Sequence, residues 1–278
     1  MIKVFISVRN RLSITKKCII ALYRYTKLPL QIHIYDNLTN YKIREHFEYA
    51  YNLYKNGLIA SYNFNTKEST FNAFSKAISF NQFGTLHCMD PNKNDYDFLL
   101  ILDNDIIVLP DWDLKVKSAF EYIKNRKEIK IVSQITSGIK NAIKLDDKIY
   151  NNTIEMSAGK NGGSGFWCIR PNFFEDVGFL DAKNLVGKHK GHDIYYWRLL
   201  DKASNNKPYI LGLHTKLCIH CGGMTGSICN VMSRGIEKSL QEKESIIKFE
   251  SAEEEIEKTN FDDFIKKICE DKNLINGW

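Results

Sequence analysis

Five consecutive apolar residues, Phe98 to Leu102, run straight into Asp103-Asn104-Asp105, and four more, Ile106 to Leu109, follow before Pro110. This stretch, FLLILDNDIIVLPDWD, limits the possible folds more than any other part of the chain. A strand with one solvated face alternates apolar and polar residues, whereas an unbroken apolar run suits a strand covered on both faces, as in a sheet sandwiched by helices. Two carboxylates inside so apolar a run are costly to desolvate unless a cation meets them or the strand ends there. The stretch therefore reads as a buried central strand, and Asp103 to Asp105 as the place where it emerges.

The first half of the chain supplies the layers such a strand needs. Lys3 to Val8 is β-rich, with Ser13 as candidate cap for a helix over 14–25. A strand over 31–35 stops at Asp36-Asn37, which reads as a turn pair. Helical spacing over 41–55, a short strand over 59–64 and an amphipathic helix over 70–80 follow. Residues 81–97 are loop-like, with Gly84 and Pro91. Beyond the central run, 114–125 is helical and 129–134 a strand. This alternation predicts an α/β protein with an open sheet flanked by helices. The second half is less regular, with a short helix in PNFFEDVGFLD, a helix over 192–203 and strand character over 209–221. From Ile236 the chain is charged and helical, so the expected organisation is one α/β domain over 1–232 and a C-terminal helical extension over 233–278.

With 278 residues, 44% of them hydrophobic and 26% charged, the chain is long enough for a sizeable core and not of disordered composition. No apolar run reaches the roughly 20 residues of a spanning helix, and MIKVFISVRNRLS has neither the apolar length nor the cleavage site of a signal peptide. Seven cysteines without a regular framework suggest reduced thiols. The expected setting is cytoplasmic, with peripheral attachment to a membrane surface left open. The net charge of +6 suits an anionic ligand such as a nucleotide and leaves nucleic acid open, although no aromatic-rich basic module appears.

Ligands of open α/β sheets bind at the carboxyl ends of the strands. Three polar clusters fall there: Ser7 to Arg11, Asp36-Asn37, and Asp103 to Asp105. An Asp-x-Asp pair at a strand exit can hold a hard divalent cation, or it can simply cap a turn. A separate group, Cys218, His220 and Cys221 with His214 and Cys229 nearby, raises the question of zinc. Neighbours on a strand point to opposite faces, so His220 and Cys221 are poorly placed to share one ion.

The order of these pieces resembles the family 2-like glycosyltransferases of the GT-A fold, across residues 2 to about 226. VFISVRNR is similar to the family's first strand and turn, with Asn10 and Arg11 matching and Ser7-Val8 in place of Pro-Thr. IHIYDN resembles the segment whose acid, here Asp36, contacts the nucleotide base. LLILDNDIIVLPDW resembles the Asp-x-Asp segment, GGSGFWCIRPNFFEDVGFLD the glycine-rich acceptor-side segment, and CIHCGG the late histidine region. AFSKAI resembles a family helix but has Ser75 and Ala77 for Asn and Gly, and GHDIYYWRL has His192 where the family has Glu.

What the resemblance implies is a GT-A (Rossmann-like) open mixed sheet carrying a metal-dependent sugar transfer from a nucleotide-diphosphate sugar, a UDP-sugar as first choice, to an acceptor hydroxyl. Ser7, Arg9, Asn10, Arg11, Asp36, Asn37, Lys76, Asp103 and Asn104 would bind the donor nucleotide. Asp105 and His220, with Asp103 on the ribose or on a metal-bound water, would hold Mn²⁺ or Mg²⁺. Asp193 would be the base of an inverting displacement, and Gly163, Ser164, Phe166, Trp167 and His192 would face the sugar and acceptor. A glycan, lipid-linked sugar, protein or nucleic-acid base all fit as acceptor. The alternatives are a nucleotidyltransferase, for which SVRNRLS lacks a glycine-rich phosphate loop, and a non-catalytic nucleotide-sugar-binding protein.

Overall fold

The computed structural model describes residues 1–37, 39, 42–65, 72–134, 140–149, 152–160, 165–181 and 192–220. Within these, 72–75, 140–149, 152, 153, 192–194, 219 and 220 are described by backbone alone. The chain begins β1 (Ile2–Val8), α1 (Leu12–Tyr25), β2 (Leu30–Asn37), α2 (Ile43–Lys55), β3 (Ser61–Asn65), α3 (Asn72–Cys88) and β4 (Phe98–Asp103). Then come β5 (Ile106–Val108), α4 (Trp112–Tyr122), β6 (Ile131–Gln134), β7 (Lys140–Ile149), β8 (Asn152–Lys160), β9 (Phe166–Ile169) and α5 (Phe173–Val177). The described part ends with α6 (His192–Ala203), β10 (Ile210–Leu213) and β11 (Cys218–His220). The expected boundary at 232 and the helical extension over 233–278 lie outside the described residues.

Nine strands form one mixed sheet in the order β3-β2-β1-β4-β9-β6-β10-β8-β7. β1 lies parallel to β2 and β4, while β9 runs antiparallel to both β4 and β6. β4 therefore occupies the interior of the sheet. Its side chains alternate between two cores: Phe98, Leu100 and Leu102 join one with α1 and α4, and Leu99 and Ile101 join the other with α3, α5 and α6. All five are at most 1% exposed, which accounts for the unbroken apolar run. After the turn, β5 leaves the large sheet and pairs antiparallel with β11.

Several expected boundaries shift. Asp36 and Asn37 are the last residues of β2 and pair with β3, so the turn lies beyond them. Ser13 lies inside α1, whose cap is Arg11 in a left-handed conformation. The loop expected over 81–97 is helical to Cys88. Gly84 does not break α3, because its role is spatial: a Cβ there would lie 2.4 Å from the Phe174 ring. The β7–β8 hairpin was not expected from the sequence.

At the amino-terminal ends of the strands, Lys3 is buried and donates to Asp90 Oδ2 at 2.7 Å, with the Tyr96 hydroxyl 2.9 Å from the same oxygen. Burial alone would raise the Asp90 carboxyl, but hydrogen bonds from Lys3, the Asn92 N–H and Tyr96 hold it down at about 2. His33 sits beside this cluster with Nδ1 2.9 Å from Ser61 Oγ, and burial, helped by Lys3, pushes it down to about 4. No helix among the described residues is long and apolar enough to cross a membrane.

Gly84→Ala should destabilise the protein by about 1–3 kcal/mol in urea unfolding, because overpacking against Phe174 outweighs the roughly 1 kcal/mol helix preference for alanine. His33 is neutral in the folded state down to about pH 4 but ionises near 6.5 when unfolded, so unfolding takes up a proton between those values. Stability should fall by about 2 kcal/mol as pH drops from 6.5 to 4, and His33→Gln should flatten that part of the urea-midpoint profile.

Candidate functional site

The three polar clusters do meet at one edge. β1 and β4 pair in register from Ile2–Phe98 to Ser7–Asp103, which brings both strand exits to the same level. Asn10 and Arg11 take left-handed backbone conformations in succession, with φ of 54° and 57°. This is uncommon for arginine, and it turns the chain sharply enough for Arg11 to reach the neighbouring strand's exit. Arg11 Nη1 lies 3.0 Å from Asp105 Oδ2, and both side chains are about nine-tenths buried. Asn104 locks the same turn: its N–H donates to the Ser7 carbonyl at 3.2 Å and its amide Nδ2 to Thr15 Oγ1 at 2.9 Å.

The second acid is held differently. Lys76, from α3 on the opposite face of the sheet, forms an ion pair with Asp103 Oδ1. Asp103 remains the more open carboxylate, with 32% of its side chain exposed against 10% for Asp105. Its N–H donates to the Gly165 carbonyl at 2.9 Å, and a Cβ on Gly165 would come within 3.4 Å of Oδ2, so glycine leaves space beside this oxygen. Ser7 and Arg9 are partly exposed on the same edge.

Asn37 and Asp36 turn out to be braces. Asn37 donates from Nδ2 to Ser7 Oγ at 2.9 Å and accepts at Oδ1 from Ser79 Oγ at 2.7 Å, joining β1, β2 and α3. Asp36 is wholly buried. Its Oδ1 accepts from the Thr39 N–H at 2.8 Å and its Oδ2 from the Tyr62 hydroxyl at 2.7 Å. Thr39 Oγ1 in turn accepts from the Asn10 N–H at 2.9 Å. Asp36, expected to contact a nucleotide base, is a buried carboxylate with both oxygens engaged, and it positions the β1–α1 turn. Thr39, Ser79 and Tyr62 were not anticipated; the Asp-x-x-Thr spacing of 36–39, typical of a side-chain-closed turn, was the available signal.

Phe166 and Trp167, expected on the sugar and acceptor side, are core residues of β9. Phe166 packs edge-on against Trp112 with ring centroids 5.7 Å apart, and Trp167 is completely buried against Tyr196. Gly163 and Ser164 lie outside the described residues. His192 and Asp193 occupy the first turn of α6, and the β5–β11 register sets His220 opposite Ile106, next to Asp105; the side chains of all three lie outside the described residues.

Two carboxylates at a strand exit, with no thiol between them, are an oxygen donor set that suits Mn²⁺ or Mg²⁺. Burial pushes the Cys218 thiol up to about 12, and His214 uses Nε2 on Ser157 Oγ at 2.7 Å. Cys221 and Cys229 lie outside the described residues.

Neither a protein-family model nor a curated protein sequence matches the chain. Solved structures do. GalNAc-T7, determined with UDP, GalNAc and Mn²⁺, superposes with a TM-score of 0.54 at 13% identity, over 88% of this chain and 50% of its own. The mannosyltransferase PcManGT from Pyrobaculum calidifontis, in complex with GDP-Man and Mn²⁺, gives 0.51 at 8% identity, over 90% of this chain and 65% of its own. The likeness establishes the fold: a GT-A α/β architecture with a mixed sheet between helices. The chain spans between half and two thirds of the length of these two proteins.

Removing one partner of the Arg11–Asp105 pair should show their coupling. Arg11→Met is expected to cost about 3 kcal/mol in urea unfolding, because it leaves a buried carboxylate poorly compensated. Arg11→Met with Asp105→Asn should cost less than the sum of the single changes by at least about 1 kcal/mol.

Proposed function

We propose that the protein is a metal-dependent glycosyltransferase that moves a sugar from a nucleoside-diphosphate sugar, a UDP-sugar as first choice, to an acceptor hydroxyl with inversion. The observation that carries this reading is the pair of acids, Asp103 and Asp105, set between Lys76 and Arg11 at the exit of the central strand of a GT-A fold. GalNAc-T7 and PcManGT, which share the fold, were each determined with a nucleotide or nucleotide sugar and Mn²⁺.

Arg9, Arg11 and Lys76 supply positive charge for the donor diphosphate, and the partly open Asp103 faces the ribose. Asp105, with Asp103 and His220, would hold Mn²⁺ or Mg²⁺, which when bound neutralises negative charge on the departing diphosphate. Ser7, Asn10, Asn37 and Asn104 hold these groups through short hydrogen bonds, so little reorganisation is needed when the donor arrives. At the start of α6, Asp193 takes the proton of the acceptor hydroxyl. The acceptor oxygen then bonds to the anomeric carbon from the face opposite the diphosphate while the bond to the diphosphate oxygen breaks. His192 sits beside that base on the acceptor side.

A screen of nucleotide sugars for slow hydrolysis needs no acceptor. Hydrolysis of one donor is expected with Mn²⁺ or Mg²⁺ and should be lost in chelator. Asp193→Asn should lower transfer about 10²–10⁴-fold while donor binding by calorimetry stays within about twofold. Full turnover in Asp193→Asn would remove the base assignment, and hydrolysis of no donor would remove the reading as a whole.

A further inference from the structure

β3 is the terminal strand of the sheet, and among the described residues it pairs with β2 alone. All five of its residues are half-exposed. Edge strands are commonly blunted by a lysine, a proline or a bulge, because their free N–H and C=O groups otherwise template a further strand. β3 reads Ser-Tyr-Asn-Phe-Asn, with no charge and no proline, and its register with β2 runs unbroken from His33–Ser61 to Asn37–Asn65.

The flank of α2 beside this edge is apolar. On the inner flank, Tyr49 lies under Lys16 of α1, with Nζ 5.4 Å from the ring centroid. On the outer flank, Phe47 packs against Tyr62 and Phe64 of β3, with ring centroids 5.5 Å and 5.1 Å apart. Residues three and four apart share a helix face, so Ile43, Tyr51 and Tyr54 continue the Phe47 flank along the edge. Ile43, Phe47, Tyr51 and Tyr54 are 43%, 41%, 62% and 58% exposed. A row of large apolar side chains left to water beside an unblunted strand marks a protein contact.

The chemistry of the edge matches its own reverse. Antiparallel pairing of β3 with a second β3, about a two-fold axis at Asn63, sets Tyr62 opposite Phe64 of the second copy on the α2 face. On the other face Asn63 meets itself, and Ser61 meets Asn65 of the second copy. No like charges are opposed on the strand. α2 crosses from β2 to β3 and so covers the outermost strand pair. With strands about 4.8 Å apart, the two copies of α2 would run antiparallel about 10 Å from each other, the distance at which helices pack. Phe47, level with Asn63 because it touches both Tyr62 and Phe64, would meet its own copy, and Ile43 would meet Tyr51 of the second copy. Arg44 and Glu48, on the margin of the stripe, neutralise each other at 2.7 Å.

We propose that the protein forms a two-fold symmetric homodimer, in which the β3 edges pair antiparallel and the outer flanks of α2 pack on each other. Such a contact is isologous, and it joins the two nine-stranded sheets into one. An extended peptide adds to any open edge; only a second copy uses the match of this strand to its own reverse. The dimer stands independently of the glycosyltransferase reading.

Sedimentation velocity of the full chain from about 1 to about 200 µM should show a two-chain species that grows with concentration. Ile43→Lys and Tyr51→Glu, both at exposed positions, should each weaken dimerisation at least about tenfold, because each places an unpaired charge in the contact. The double variant sets opposite charges against each other across the axis and should recover most of the lost affinity. Asn63→Cys tests the strand pairing separately: mild oxidation should give a covalent dimer bridged at position 63 in peptide maps, since directly opposed residues of an antiparallel pair bring their Cβ atoms close. A monomer at every concentration, as expected if the edge is taken by another part of the chain or by a different protein, would overturn the proposal. So would a dimer indifferent to both single substitutions, single losses that the double variant does not recover, or the absence of a bridge at position 63.

Discussion

Asp103 and Asp105 leave a strand whose two faces are both dry, and each meets a basic side chain from a different element: Lys76 from α3 on one side of the sheet, Arg11 from the start of α1 on the other. An unpaired carboxylate in such a place would lose several kcal/mol of solvation. The pairing therefore does more than stabilise two charges. It fixes the first turn of α1 and the early part of α3 against the exit of β4, so the position of the site and the packing of both helical layers are set by the same contacts. The left-handed Arg11 is the local cost of bringing its guanidinium across.

Around this charged centre the remaining work is done by uncharged groups. Asn37 links Ser7 to Ser79, Asn104 links Ser7 to Thr15, and Thr39 links Asp36 to the Asn10 N–H. These residues are almost completely buried apart from Ser7. A network of short amide and hydroxyl bonds at strand ends holds its geometry in low dielectric, where each bond is stronger than in water. Asp36, at the end of β2, belongs to this network.

The sheet's centre was legible because burial on both faces leaves a mark in composition that no half-exposed strand shares. The convergence of Ser7 to Arg11 with Asp103 to Asp105 followed from strand ends alone, since parallel strands in register bring their carboxyl ends to one edge. The misreadings have physical causes. Gly84 looked like a helix breaker, but its lack of a side chain serves the close approach of Phe174. Phe166 and Trp167 were placed on the acceptor side by the resemblance alone, and their burial shows that aromatic residues on an inner strand do not by themselves indicate which way they face. Asp36 and Asn37 read as a turn pair, yet both continue β2 because they pair with β3. The β7–β8 hairpin was missed although Asn151-Asn152 separates two alternating runs, a pattern weakened by the lysines and aspartates among them.

Charge is partitioned over the described surface in a way that follows from the fold. Cations and anions concentrate where β1 and β4 end, and there Arg11, Lys76, Asp103 and Asp105 sum to no net charge, with Arg9 added on the open side. A dianionic or trianionic ligand arriving at such an edge competes with the two carboxylates for the same two cations, and a divalent cation arriving with it offers the carboxylates a replacement partner. A metal and a diphosphate arriving together would thus offer each of these charges a new partner. Tyr62 ties the outer strand to this edge, its ring against Phe47 of α2 and its hydroxyl on Asp36, so the brace that fixes the charged edge is itself held by β3.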